Sequence, residues 1–313
     1  YADPVAARVH DVELPHAPRL VPHFAHRQAR LRPRRVDDID VEDPDDAKPR
    51  EACGVFGIYA PGHHVAHLVF DGLYALQHRG QESAGMAVSD GTAVTVVKDQ
   101  GLVASVFDDR ALAGLFGHVA IGHCRYSTTG SSTWRNAQPA YRGAGERHFA
   151  LGHNGNLTNT EALAEEAGML PGTVTSDTDL VAELLAAALS HLPEDRSDER
   201  DLELALMSIL PSLEGAFSLV VMDESRVIGV RDPNGFRPLC LGKLEHGWVL
   251  ASESPALDIV GAHFVRELDP GEMVVIDGGA HLRSSGAEDL LGVVVEGVAD
   301  RNDGRKTEFV SAK

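Results

Sequence analysis

Cys53-Gly54-Val55-Phe56-Gly57-Ile58-Tyr59-Ala60 is the stretch from which the fold is read. Apolar, uncharged and rich in β-branched and aromatic residues, it describes a buried strand, and a cysteine opens it. Val65, Leu68, Val69, Leu73 and Leu76 then recur at helical spacing. They predict an amphipathic helix over 63–78 that delivers His78-Arg79-Gly80-Gln81 at its C-terminal end. Strand patterns return at 84–90, 92–97, 118–126 and 148–153. Thr158-x-x-Glu161 and Ser176-x-x-Asp179 read as capping boxes ahead of two further helices. Another helix, over about 200–212, leads into the strand patterns FSLVVMD, RVIGVRD, LCLGKL, GWVLASE and EMVVID, separated by turns. Many strands and several helices without strict βαβ alternation predict an α+β fold of antiparallel sheets covered by helices.

Upstream of Cys53 the pattern is lost. The first 52 residues hold 7 of the 16 prolines and four of the 16 histidines, with a basic block over Arg27–Arg35 and an acidic one over Asp37–Asp46. They read as a disordered leader or propeptide. The whole chain of 313 residues carries 28 Lys+Arg against 47 Asp+Glu, a net charge of −19. A general nucleic-acid or anionic-membrane surface is excluded on that balance. Hydrophobic residues at 43% exclude global disorder. There is no run of 18 apolar residues and no signal-peptide pattern, so the expectation is a cytoplasmic protein with no membrane partner. Cys53, Cys124 and Cys240 form no CxxC pair and are too few for a disulfide framework; a special cysteine here acts singly.

Four stretches could carry chemistry. A lone cysteine in an apolar strand is ordinarily a small core residue. If the leader were removed, however, Cys53 would carry both a thiol and a free α-amine, and an amine with a pKa of about 7.7–8.0 is a competent base for its own nucleophile. In Gly152-His153-Asn154-Gly155-Asn156-Leu157, an isolated Asn-Gly would be a turn. The same pair offers a side-chain amide donor, Asn154, beside the unhindered backbone N–H of Gly155, which is what an oxyanion hole needs. Arg125, in Gly122-His123-Cys124-Arg125-Tyr126-Ser127-Thr128-Thr129-Gly130, could form a surface salt bridge or grip a carboxylate in bidentate fashion with threonine hydroxyls assisting. In Thr175-Ser176-Asp177-Thr178-Asp179, Ser176 is the cap, which leaves Asp177 free to meet an ammonium.

These segments, with His78-Arg79-Gly80-Gln81-Glu82-Ser83-Ala84-Gly85, stand in the order seen in class II glutamine amidotransferases. From Cys53 to about Asp277 the chain resembles the glutaminase half of the amidophosphoribosyltransferase family of purine biosynthesis. That match includes Arg231-Asp232-Pro233-Asn234-Gly235-Phe236-Arg237-Pro238-Leu239 and Ala251-Ser252-Glu253-Ser254. The resemblance implies an N-terminal-nucleophile hydrolase fold, a four-layer αββα sandwich, over 53–282, with residues 283–313 an unplaced tail. It implies Cys53 as nucleophile, Asn154 and Gly155 as oxyanion donors, and Arg125 and Asp177 as partners of the glutamine α-carboxylate and α-ammonium. Thr128 would lie nearby and Arg79 would shape the pocket. No stretch of the sequence shows the family's acidic, Gly/Thr-rich phosphoribosyl pyrophosphate loop, and three cysteines cannot supply a four-thiolate cluster, so no cofactor is expected. The implied substrate is glutamine, and the implied partners are an ammonia-accepting synthase, a phosphoribosyltransferase subunit or a second copy of the chain. A stand-alone glutaminase and a non-catalytic glutamine-binding paralogue are the alternatives.

Overall fold

The computed structural model describes residues 53–126, 133–170, 172–192, 200–278 and the strand 281–285. The expected leader, most of the tail and Thr128 lie outside these residues. One sheet has seven strands: β1 (Gly54–Tyr59), β2 (Ser83–Ser89), β3 (Val94–Gln100), β4 (Val119–Arg125), β9 (Cys240–Leu244), β10 (Gly247–Ala251) and β11 (His263–Glu267), in the order β11-β9-β10-β1-β4-β2-β3. The other has six: β5 (Ala140–Ala144), β6 (Arg147–Leu157), β7 (Gly215–Met222), β8 (Val227–Arg231), β12 (Met273–Asp277) and β13 (His281–Ser285), in the order β13-β12-β8-β7-β6-β5. Every pairing in both sheets is antiparallel. The strand β13 carries the second sheet to Ser285, three residues beyond the boundary expected from sequence.

Period-two alternation sorts the strand residues into layers. Val55, Tyr59, Val119, Ile121, Ala150, Val220 and Leu250 form a core between the sheets. Phe56, Ile58, Met86, Ala120 and Cys124 pack outward, beneath α1 (Ala66–Ala75), α2 (Val103–Val106), α3 (Asp109–Ala113) and α7 (Pro255–Ile259). On the far side, Phe149, Leu151, Phe217 and Leu219 lie beneath α4 (Thr160–Glu166), α5 (Asp177–Ser190) and α6 (Asp201–Ile209). The result is the expected α+β arrangement in four layers, helix, sheet, sheet, helix.

Local departures from the sequence reading have identifiable causes. The helix expected over 63–78 is α1 followed by a 3-10 turn, Gln77–Arg79, where the Gln77 side-chain oxygen accepts the Val103 N–H at 2.7 Å. Ser176 caps α5 as expected, accepting the Asp179 N–H at 3.2 Å. Thr158 does not cap α4: its hydroxyl donates to the Glu214 carbonyl at 3.3 Å, and the N-cap position falls on Asn159, whose side chain is engaged by Ser212 and Glu214. Tertiary partners outcompete the local capping box there. The sequence reading had no counterpart for β5, β11 or the short helices α2, α3 and α7.

Candidate active site

Cys53 stands at the mouth of β1, with its thiol against the Tyr126 peptide: Sγ donates to the Tyr126 carbonyl at 3.3 Å, and the Tyr126 N–H lies 3.4 Å from Sγ. Burial pushes this thiol up from its ordinary pKa. The Tyr126 backbone and the Arg125 charge oppose that shift, and the Asp177 carboxylate adds to it. A neutral thiol held this way needs a base before it can attack. From behind, Arg79 Nε donates to the Cys53 carbonyl at 3.1 Å. Glu253 fixes Arg79 in turn through a charged hydrogen bond and holds His78 Nε2 at 2.9 Å.

The opposite sheet contributes β6. Its Gly152 lies opposite Val55 of β1, and the carbonyl of His153 meets His123 Nε2 of β4 at 3.0 Å. The next positions outward are Asn154 on one sheet and Cys53 with Arg125 on the other, so the three converge at one end of the inter-sheet core. The Asn154 side chain is fully buried, yet neither its Nδ2 nor its Oδ1 has a hydrogen-bond partner among the described residues. Buried amides are ordinarily paired, and an unpaired one at this end of the core has the donor chemistry that an oxyanion needs. Gly155 follows, and a Cβ there would lie 2.1 Å from the Ala216 carbonyl oxygen, so only glycine lets β6 approach β7 at this point.

Arg125 is buried and its Nη1 pairs with Glu82 Oε1 at 3.0 Å. The salt bridge is internal rather than at the surface, on a guanidinium whose field reaches Cys53. Asp177, expected to be free, already has protein partners. Its carboxylate accepts the Thr178 N–H at 2.9 Å and the Leu157 N–H at 3.3 Å, and lies 3.7 Å from His153 Nδ1. Burial alone would raise its pKa; the His153 contacts and the two backbone donors outweigh burial and hold it below the usual carboxylate range. The charge of this carboxylate reaches Cys53.

Four of the expected residues, Arg79, Arg125, Gly155 and Asp177, thus lie around Cys53 and Asn154, and Thr128 is outside the described residues. Glu82, Glu253, His123 and Gln138 were given no role by sequence; their partners lie from 15 to 175 residues away along the chain, and nothing local announces them. Among the described residues no three His, Cys, Asp or Glu side chains are grouped to hold a metal ion, and no helix is long and apolar enough to cross a membrane.

A family model described as a glutamine amidotransferase domain matches residues 123–259. The amidophosphoribosyltransferase of Mycobacterium tuberculosis is 55% identical over 237 residues, covering 73% of this chain and 44% of that protein. The Bacillus subtilis amidophosphoribosyltransferase is 41% identical over 232 residues, or 72% of this chain and 46% of its own length. Glutamine phosphoribosylpyrophosphate amidotransferase from B. subtilis, solved with ADP and GMP, aligns at a TM-score of 0.65 and 38% identity over 75% of this chain and 49% of that one. The chain spans less than half the length of the curated relatives it matches. The two sheets and their flanking helices are the N-terminal-nucleophile fold of that neighbour. Cysteine-led strand, paired sheets and sequence identity agree: the chain belongs to the glutamine amidotransferase domain family, in the form carried by amidophosphoribosyltransferases.

Proposed function

We propose that residues 53–285 hydrolyse glutamine to glutamate and ammonia through a thioester on Cys53. The observation that carries the reading is the buried, unpartnered Asn154 amide at the end of the inter-sheet core where Cys53, Arg125 and Asp177 converge. The α-amine of Cys53, once free, takes the thiol proton; sulfur attacks the side-chain carboxamide carbon, and Asn154 Nδ2 and the Gly155 N–H stabilise the oxyanion. The C–N bond then breaks, the amine returns its proton to the departing ammonia, and water cleaves the thioester to glutamate. Arg125 and Asp177 hold the α-carboxylate and α-ammonium.

His123 cannot replace the amine as base, since burial pushes its pKa down to about 3. The mechanism therefore requires removal of everything before Cys53. By analogy with the relatives, the ammonia passes to a phosphoribosyl acceptor site, on this polypeptide or a partner, in the cytoplasm. The test pairs mass spectrometry of the mature N-terminus with glutamate release. A chain beginning at Cys53 that releases glutamate supports the reading; a chain beginning at Cys53 that does not is a binding paralogue.

A further inference from the structure

We propose that Gln138 is a positioning residue for the glutamine site, tying the strand that carries the oxyanion donors to the helix that carries the ammonium partner through the two ends of its side-chain amide. The role rests on the glutamine-hydrolysing reading above. It begins with register. β5 pairs with β6 as Ala140 opposite Leu151, where β5 begins, while β6 runs on for six more residues. Extended by two positions, the register sets Gln138 opposite His153. Gln138 Oε1 supplies the rung that a backbone carbonyl would have made, accepting the His153 N–H at 2.7 Å. Its other end, Nε2, donates to Thr178 Oγ1 at 3.0 Å. Thr178 is the second residue of α5, directly after Asp177, and Thr178 Oγ1 also lies 3.3 Å from His153 Nδ1.

In an antiparallel strand successive N–H groups point to opposite sides. His153, Gly155 and Leu157 therefore direct their N–H groups to the edge of β6 that β5 leaves uncovered. The first goes to Gln138 and the third to Asp177 Oδ2, which brackets the Gly155 N–H between two anchored neighbours. The bond from Gln138 to Thr178 joins those anchors, so the Gly155 donor and the Asp177 carboxylate move as one body. Gln138 is itself held. Lys98 Nζ donates to the carbonyls of Ala137 and Pro139 at 2.5 and 3.1 Å, and a Cβ at Gly85 would lie 2.1 Å from the Gln138 carbonyl oxygen, so glycine alone admits the segment. With its side chain buried, the amide has no solvent to replace either partner.

Gln138→Met keeps the shape and removes both hydrogen bonds. It is expected to lower kcat by about 10–100-fold, the scale of a sub-ångström to 1 Å misplacement, and to raise KM for glutamine. Gln138→Glu keeps the acceptor for His153 but donates to Thr178 only when its carboxyl is protonated. The ratio of its kcat/KM to that of the wild type should therefore climb as pH falls through that titration, which a space-filling role would not produce. Hydrogen exchange at the His153 amide should accelerate in Gln138→Met and stay near wild type in Gln138→Glu. An active wild type with Gln138→Met unchanged in both constants, or a Gln138→Glu ratio flat with pH, overturns the role. A wild type that releases no glutamate overturns the functional reading instead, and unaltered His153 exchange in Gln138→Met would still overturn the positioning.

Discussion

Replacing Asn154 by leucine separates stability from chemistry in one experiment. The wild-type side chain is fully buried, and neither Nδ2 nor Oδ1 is bonded to any described residue. A buried polar group left unpaired costs the fold about 1–3 kcal/mol, and an apolar residue of the same branched shape removes that cost. Asn154→Leu should therefore stabilise the domain by about 1–3 kcal/mol, with each kcal/mol moving Tm by about 2–4 °C at this size. On the proposed mechanism the same substitution deletes one oxyanion donor, for which turnover falls by about 10²–10³-fold, or about 2.7–4 kcal/mol of transition-state stabilisation. Calorimetric unfolding and glutamate release on the same preparation give both numbers. The expected pair is a higher Tm with kcat down at least a hundredfold and KM little changed. A lower Tm would mean that the amide serves the fold, and an undiminished kcat would remove Asn154 from the oxyanion hole.

Cys53→Ala should abolish glutamate release, while Cys124→Ala should keep most of it and lose only packing; burial pushes the Cys124 thiol up to about 12, which leaves it unreactive, and comparable losses in both variants would sink the nucleophile assignment. Arg125→Lys should raise KM for glutamine more than it lowers kcat, because lysine keeps a charge for Glu82 but loses the planar two-point grip; an unchanged KM would leave Arg125 as the partner of Glu82 alone. Burial, with the Arg142 charge as a second contribution, lowers the Lys98 ammonium from 10.5 to about 8. The folded chain thus sheds this proton before the unfolded one, and the cost of the buried charge is full below about pH 8 and fades as pH rises toward 10.5. Relative to Lys98→Met, wild type should gain stability in denaturant titrations from pH 8 to 10; a difference constant across that range would contradict the shift.

What could be read from sequence was what alternation and adjacency encode. The strand pattern at 53–60 is β1, the pattern at 148–153 is the first part of β6, and Asn154-Gly155 proved to be strand rather than turn because β7 pairs across it from Gly215 to Met222. Ser176 announced its helix because a cap bonds within three residues. Thr158 announced one falsely, since the Glu214 carbonyl competing for its hydroxyl is 56 residues away. Gln138 and Glu253 were illegible for the same reason: their work is done on His153, Thr178, His78 and Arg79, through contacts that topology creates. Asp177 was legible as an acid at a helix start, but its bonds to the Leu157 N–H and its approach to His153 required β6 to run past β5.

That overrun explains why the chemistry sits where it does. Between the sheets the middle of the core is apolar, with Val55, Ile121, Ala150 and Val220. Beyond Leu151 the ladder between β5 and β6 stops, and the residues at that end are polar, His153, Asn154 and Asp177, with His123 and Arg125 from β4 of the other sheet, all buried or nearly so. A sheet that ended flush would leave no N–H groups for these residues to organise, and a burial this deep would be costly for them. The eleven residues of β6 against the five of β5 expose a short run of backbone donors inside the protein rather than at its surface. Two of those donors are consumed by Gln138 and Asp177, and the N–H of Gly155 lies between them on the same edge of β6. On the proposed mechanism, the oxyanion donor at Gly155 comes from this mismatch in strand length, and the polar side chains of Gln138 and Asp177 pair the donors on either side of it.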